Sequence, residues 1–115
     1  MLPKENRITD NYDFNRIRRL GKTYSSGIFL FSFFVDNGKR DKGPRLGMIV
    51  TNRVDKRATV RHRLKRLLSR VLYENLSRFP NGGMGVFVVR SSMIGKKYEE
   101  ISVEFNRVLS KIPLS

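Results

Sequence analysis

The sequence predicts an α+β fold, a small sheet of about four strands with helices packed on it. Three observations carry that reading. Residues 28–35 form a nearly unbroken aromatic and β-branched run whose alternate positions are apolar on both faces. Residues 58–76 place Val60, Leu64, Leu67, Leu68, Val71 and Leu72 on one helical stripe, continued by Leu76, with cations around the rest of the circumference. Residues 84–90 are a short, strongly apolar run behind Asn81-Gly82-Gly83, as suits a strand buried inside a sheet.

The elements follow in order. Thr9 or Asn11 can cap a first helix bearing Tyr12, Phe14, Ile17 and Leu20, and Gly21 stands where it would stop. Residues 23–36 read as strand, with room for an additional one. Phe29, Phe31, Phe33 and Val35 take one face; Ile28, Leu30, Ser32 and Phe34 take the other. Such a strand is covered on both sides or lines a groove on one. Residues 37–44 form a charged turn region in which Asn37-Gly38 is a hairpin signal. Residues 45–51 are the next strand. After residues 84–90, Ser91 or Ser92 opens a loop, and Ile101, Phe105, Leu109 and Ile112 mark a final amphipathic helix. No repeat or linker divides the chain, so residues 1–115 are expected to be one domain.

Charge narrows the function. Lys+Arg number 24 against 10 Asp+Glu, a formal net charge of +14. Residues 53–70 hold Arg53, Lys56, Arg57, Arg61, Arg63, Lys65, Arg66 and Arg70 against the single acid Asp55. A solvated helix face ordinarily mixes both signs; this one does not. Guanidinium groups suit bidentate contact with phosphate, so a nucleic acid is the expected partner. Individually the phenylalanines are best read as core. Eight of them in so short a chain also leave open an apolar cleft that stacks unpaired bases.

Other classes are excluded or disfavoured. Without Cys there is no disulfide scaffold, thiolate metal site or cysteine nucleophile, and one His cannot build a histidine cluster. His62 lies between two arginines with no partner for general-base work. Glu99 and Glu100 point about 100° apart on a helix. Asp10 and Asp13 suit a helix start, and Gly82, Gly83 and Gly85 lack the Lys-Ser/Thr of a phosphate loop. No acidic cluster exists to hold Mg²⁺. Residues 1–8 do not resemble a signal peptide, and residues 28–35 are too short to span a bilayer. The expectation is a soluble, cytoplasmic protein with no membrane partner and no obligatory protein partner.

The run Ala58-Thr59-Val60-Arg61-His62-Arg63-Leu64-Lys65-Arg66 resembles the signature of the bacterial ribonuclease P protein subunit, an Arg-Asn-Arg triplet followed, after one apolar residue, by Lys-Arg. Other marks stand in the family's order: Asn6-Arg7-Ile8, Asp13-Phe14, Gly21, the Phe-rich strand, Arg45-Leu46-Gly47 and Val50-Thr51. The likeness spans about residues 6–112. It implies a protein that joins a large catalytic RNA and assists endonucleolytic removal of the 5′ leader from precursor tRNA. The catalytic centre would lie in the RNA, with Mg²⁺ held mainly there, no cofactor bound by the protein and no catalytic side chain on it. Carried over by position, Arg53, Lys56, Arg57, Arg61, His62, Arg63, Lys65, Arg66 and Arg70 would face the catalytic RNA. Phe14, Arg18, Ile28, Leu30 and Ser32 would form the leader cleft. The implied fold is similar to the second domain of ribosomal protein S5, with a left-handed strand–helix–strand crossover against the general right-handed preference.

Some positions depart from that pattern. His62 replaces the usual asparagine, and residues 52–57 are one residue longer than the common loop, with Asp55 near the expected glycine. Arg18 and Ser32 stand where aromatics are common, which shifts leader recognition toward phosphate. Ser69 stands where a further arginine is common. The competing reading is a ribosomal or ribosome-assembly RNA-binding protein, separable by whether ribosomal subunits or one RNA of several hundred nucleotides co-purify.

Overall fold

The structure is a computed structural model that describes residues 2–39 and 41–113. Arg40, within the charged turn region, lies outside the described residues, as do both chain ends of the expected domain. Three helices and four strands run in the order α1 (Asn11–Leu20), β1 (Lys22–Ser25), β2 (Phe29–Val35), β3 (Arg45–Ile49), α2 (Ala58–Glu74), β4 (Gly83–Val89) and α3 (Tyr98–Leu109). The sheet order is β1-β2-β4-β3. β1, β2 and β4 are antiparallel in turn, while β3 runs parallel to β4, so β3, α2 and β4 form a strand–helix–strand unit.

One sheet face carries the main core. Phe29, Phe31 and Phe33 of β2, Phe87 and Val89 of β4 and Leu46 of β3 meet Leu64, Leu68, Val71 and Leu72 of α2. Ile101, Phe105, Val108 and Leu109 of α3 complete it. The rings of Phe31 and Phe87 are directly paired across the strands and stack at 4.1 Å, while Phe29 meets Phe87 edge-on at 5.2 Å. Six of the eight phenylalanines thus belong to this core, and the aromatic richness is a packing property rather than a base-stacking surplus. Only Phe14 and Phe34 lie on the other face, with Ile8, Ile17, Met84 and Val86 beneath α1.

Gly85 makes the ring stack possible. A Cβ there would lie 2.4 Å from Phe31 Cε1, and Phe31 is held from behind by Phe87. Gly85→Ala is therefore expected to lower stability by about 2 kcal/mol through overpacking. Urea unfolding measures it, and an unchanged midpoint would mean the rings can part freely.

The structure corrects several local expectations. Asp10, rather than Thr9 or Asn11, caps α1, its Oδ1 accepting from the Asp13 N–H at 2.9 Å. Thr9 does not take that place because the chain before α1 is still extended, pinned by Ile8 N–H to Leu46 O. The Asn37-Gly38 hairpin does not form. Its residues make a short 3-10 turn in which the Gly38 N–H donates to Asp36 Oδ1, and β4 occupies the place beside β2 that a hairpin partner would take. The long strand is broken at Ser26-Gly27 into β1 and β2.

Candidate nucleic-acid interface

The basic surface is built on α2. Its buried stripe fixes the helix against the sheet, and His62, Arg63 and Arg66 are left exposed, with Lys65 half-buried beside them. None of these four, nor Arg53 or Lys56, makes an ion pair among the described residues. The helix also lacks any acid in its first turn and any side-chain cap. Acids there would stabilise a helix by some tenths of a kcal/mol each. The sequence forgoes that stabilisation and adds the positive end of the helix dipole to the cationic face.

The loop before α2 is braced from within. The Asp55 carboxylate accepts from the Arg57 N–H at 2.8 Å and from its guanidinium at 3.1 Å and 3.0 Å. Arg61 turns back, its Nη1 donating to the carbonyls of Asp55 at 2.9 Å and Lys56 at 2.8 Å. Arg61 therefore holds the loop, and Arg57 is matched by a carboxylate while remaining at the surface. Arg70 leans toward α3, 4.1 Å above the Tyr98 ring and 3.9 Å from Glu74; hydrogen bonding to Glu74 raises the Tyr98 phenol above its ordinary pKa. Of the nine cationic-face residues expected from sequence, Arg53, Lys56, His62, Arg63, Lys65 and Arg66 stand free for a partner. Arg57, Arg61 and Arg70 have internal work.

The second region lies on the α1 side of the sheet. Phe14 crosses the start of β3, where Gly47 makes room; a Cβ there would stand 2.9 Å from Phe14 Cε1. Arg18 is one turn further along the same flank of α1 and exposed. Beyond α1, the sheet shows half-buried Leu30, Ser32, Val88 and Ile49, Leu30 and Ile49 flanking Val88 in register. Ser32 is tied to Thr23, their hydroxyl oxygens 2.9 Å apart. Phe14, Arg18, Leu30 and Ser32 thus share the α1 side of the sheet. Ile28 does not. It precedes β2, next to the Ser26-Gly27 break, and packs into the main core on the opposite side.

Arg90 escaped the sequence reading. It follows β4, exposed, and with Arg53, Val54 and Val88 bounds a concavity beside the loop before α2. A lone arginine after an apolar strand carries no periodic signal; only the fold brings it beside Arg53.

Comparison with known proteins decides the family. The family model described as Ribonuclease P matches residues 2–113. The chain belongs to the ribonuclease P protein family. The ribonuclease P protein component of Clostridium novyi is 33% identical over 113 residues, covering 98% of both chains. That of Microcystis aeruginosa is 31% identical over 111 residues, covering 96% of this chain and 92% of its own. In fold, the RNase P protein of Staphylococcus aureus superposes with a TM-score of 0.83 at 20% identity, covering 95% of this chain and 96% of that one. For the Thermotoga maritima protein the TM-score is 0.78 at 23% identity, over 92% and 96%. The expected α+β fold is thus the family's. Membership makes the chain a protein component of ribonuclease P, a ribonuclease of tRNA processing, associated with ribonuclease P RNA.

In this ribonuclease P protein the loop brace has a measurable signature. Hydrogen bonds from the Arg57 side chain and backbone hold the Asp55 carboxyl at about 2, below its usual 3.8. Because the folded value is the lower one, the brace is intact above pH about 4 and is lost as pH falls through about 2. An NMR titration of the Asp55 carboxyl carbon is expected to show that low midpoint; an ordinary midpoint would mean the brace is absent in solution. No described helix is long and apolar enough to cross a membrane.

Proposed function

We propose that this chain grips ribonuclease P RNA through α2 and the residue 51–57 loop. Its sheet cleft holds the 5′ leader of precursor tRNA while the RNA performs the cleavage. The observation that carries the reading is the one-signed ridge: His62, Arg63, Lys65 and Arg66 share an exposed stretch of α2 with no carboxylate paired to them among the described residues. The loop adds Arg53 and Lys56, and Arg61 keeps that loop in place. On this reading Phe14 and Leu30 offer the leader apolar contacts, Ser32 offers a hydroxyl, and Arg18, Arg53 and Arg90 supply positive charge.

The hydrolytic centre belongs, on this reading, to the RNA. Among the described residues no three His, Asp or Glu side chains come together as metal ligands. What the protein contributes is counter-charge and positioning. Reconstitution tests this. Added to its RNA at low Mg²⁺, the chain is expected to raise cleavage of leader-bearing precursor, with higher holoenzyme affinity for precursor than for mature tRNA. With about six phosphates neutralised, a few-fold rise in monovalent salt should lower RNA affinity by several decades. No gain in cleavage would overturn the reading.

A further inference from the structure

The groove between α2 and the outer edge of the sheet has no part in the cleft or in the loop. β3 is an edge strand, and the N-terminal segment runs beside its beginning, with Arg7 bridged to Leu46 and the Ile8 N–H donating to Leu46 O. Beyond that bridge, between Met48 and α2, the groove opens to about 610 Å³, within the ~300–1,000 Å³ typical of ligand clefts. Leu2, Ile8, Leu46 and Met48 make its apolar lining; Arg7, His62, Lys65 and Arg66 make its cationic side, and among the described residues no carboxylate lines it.

Ser69 supplies a second, independent observation. It is 7% exposed and lines this groove, yet among the described residues its hydroxyl has only the thioether of Met48 as partner, at 3.7 Å. Sulfur is a weak acceptor, so a ligand nitrogen or oxygen would satisfy that hydroxyl better. A small residue at this point of α2 also keeps the groove open.

We infer that the groove receives one unstacked nucleotide of the ribonuclease P RNA, its base against Met48 and Ser69 and its phosphates on the Arg7, Lys65 and Arg66 rim. The inference rests on the proposed function and deepens it. An apolar floor inside a cationic rim is the arrangement that suits a splayed-out base, whose faces are apolar and whose backbone is anionic. The His62 imidazole and Arg66 guanidinium are planar groups at the rim that can cover the exposed base face.

The test uses the assembled holoenzyme. Ser69→Leu fills the groove and leaves every charge in place. RNA affinity is expected to fall about tenfold with an unchanged salt slope, because the phosphate contacts remain. Base-specific chemical probing should show one nucleotide that is reactive in free RNA, protected by the wild-type chain and reactive again with the variant. If Ser69→Leu fails to fold, Met48→Gln, which keeps length but makes the floor polar, is expected to lose affinity several-fold with the same footprint change. Wild-type affinity and an unaltered footprint in the folded variant would overturn the inference alone. A wild-type chain that does not bind the RNA would remove the proposed function, and this inference with it.

Discussion

Reversing Arg63 and Arg66 together to glutamate is expected to weaken binding to ribonuclease P RNA by about 10²-fold or more near 0.1 M salt. Both side chains project from the exposed face of α2, and neither has an internal partner among the described residues. Each phosphate deprived of its cation should also flatten the plot of log affinity against log salt by about 0.9, so the double variant should reduce the slope by about two. Filter binding across a salt series reads both quantities. The reversal should leave folding nearly untouched, since neither residue packs in the core. Lys111→Glu, beyond α3, makes half the charge change away from the ridge and should alter affinity only slightly. Equal losses from both variants would mean that net charge, rather than the α2 surface, governs binding.

Replacing Asp13 acts on the opposite property. This carboxylate is nearly buried under α1, 2.9 Å from the Arg45 guanidinium and 3.9 Å from Arg16. Arg16 keeps a second partner in Asp36 at 2.8 Å, a hydrogen bond that raises its pKa. Arg45 has no other carboxylate among the described residues. Asp13→Ala leaves that charge uncompensated where water reaches it poorly, at an expected cost of about 3 kcal/mol. Thermal unfolding should then fall by roughly 10 °C or more. Asp13→Asn retains an acceptor oxygen and should lose less. A midpoint unchanged by the alanine variant would show that α1 is held by its apolar contacts alone. Because Asp13 joins α1 to the start of β3, a loosened pair should also disturb the packing of Phe14 against Gly47.

The large elements were legible because their periodicities are strong. Leu64, Leu68, Val71 and Leu72 repeat at helical spacing and are the apolar residues α2 buries. The alternation of Phe29, Phe31 and Phe33 names the core face of β2. Contacts between residues distant in sequence were not legible. Nothing local shows that Asp13 meets Arg45, or that β4 will insert between β2 and β3 and leave Asn37-Gly38 without a hairpin to close. Ile28 was misplaced because alternation was carried one residue past the strand's start, across a break that Ser26 organises by accepting the Ile28 N–H. Within the cationic run, composition marked the right segment but could not rank its members. Whether an arginine faces solvent, as Arg63 does, or folds onto carbonyls, as Arg61 does, depends on the path of the preceding loop. Family membership makes the chain a protein component of ribonuclease P.

The acids of α3 are largely answered at home: Glu100 lies 3.8 Å from Lys96 and Glu104 3.1 Å from Arg107. That flank is close to neutral, while the α2 ridge and its loop are not. A polyanion a Debye length away, about 10 Å at 0.1 M salt, would therefore feel a lopsided field and exert a torque on the tumbling chain before any atoms touch. Orientation would be selected during approach, so that most collisions arrive with the correct side leading.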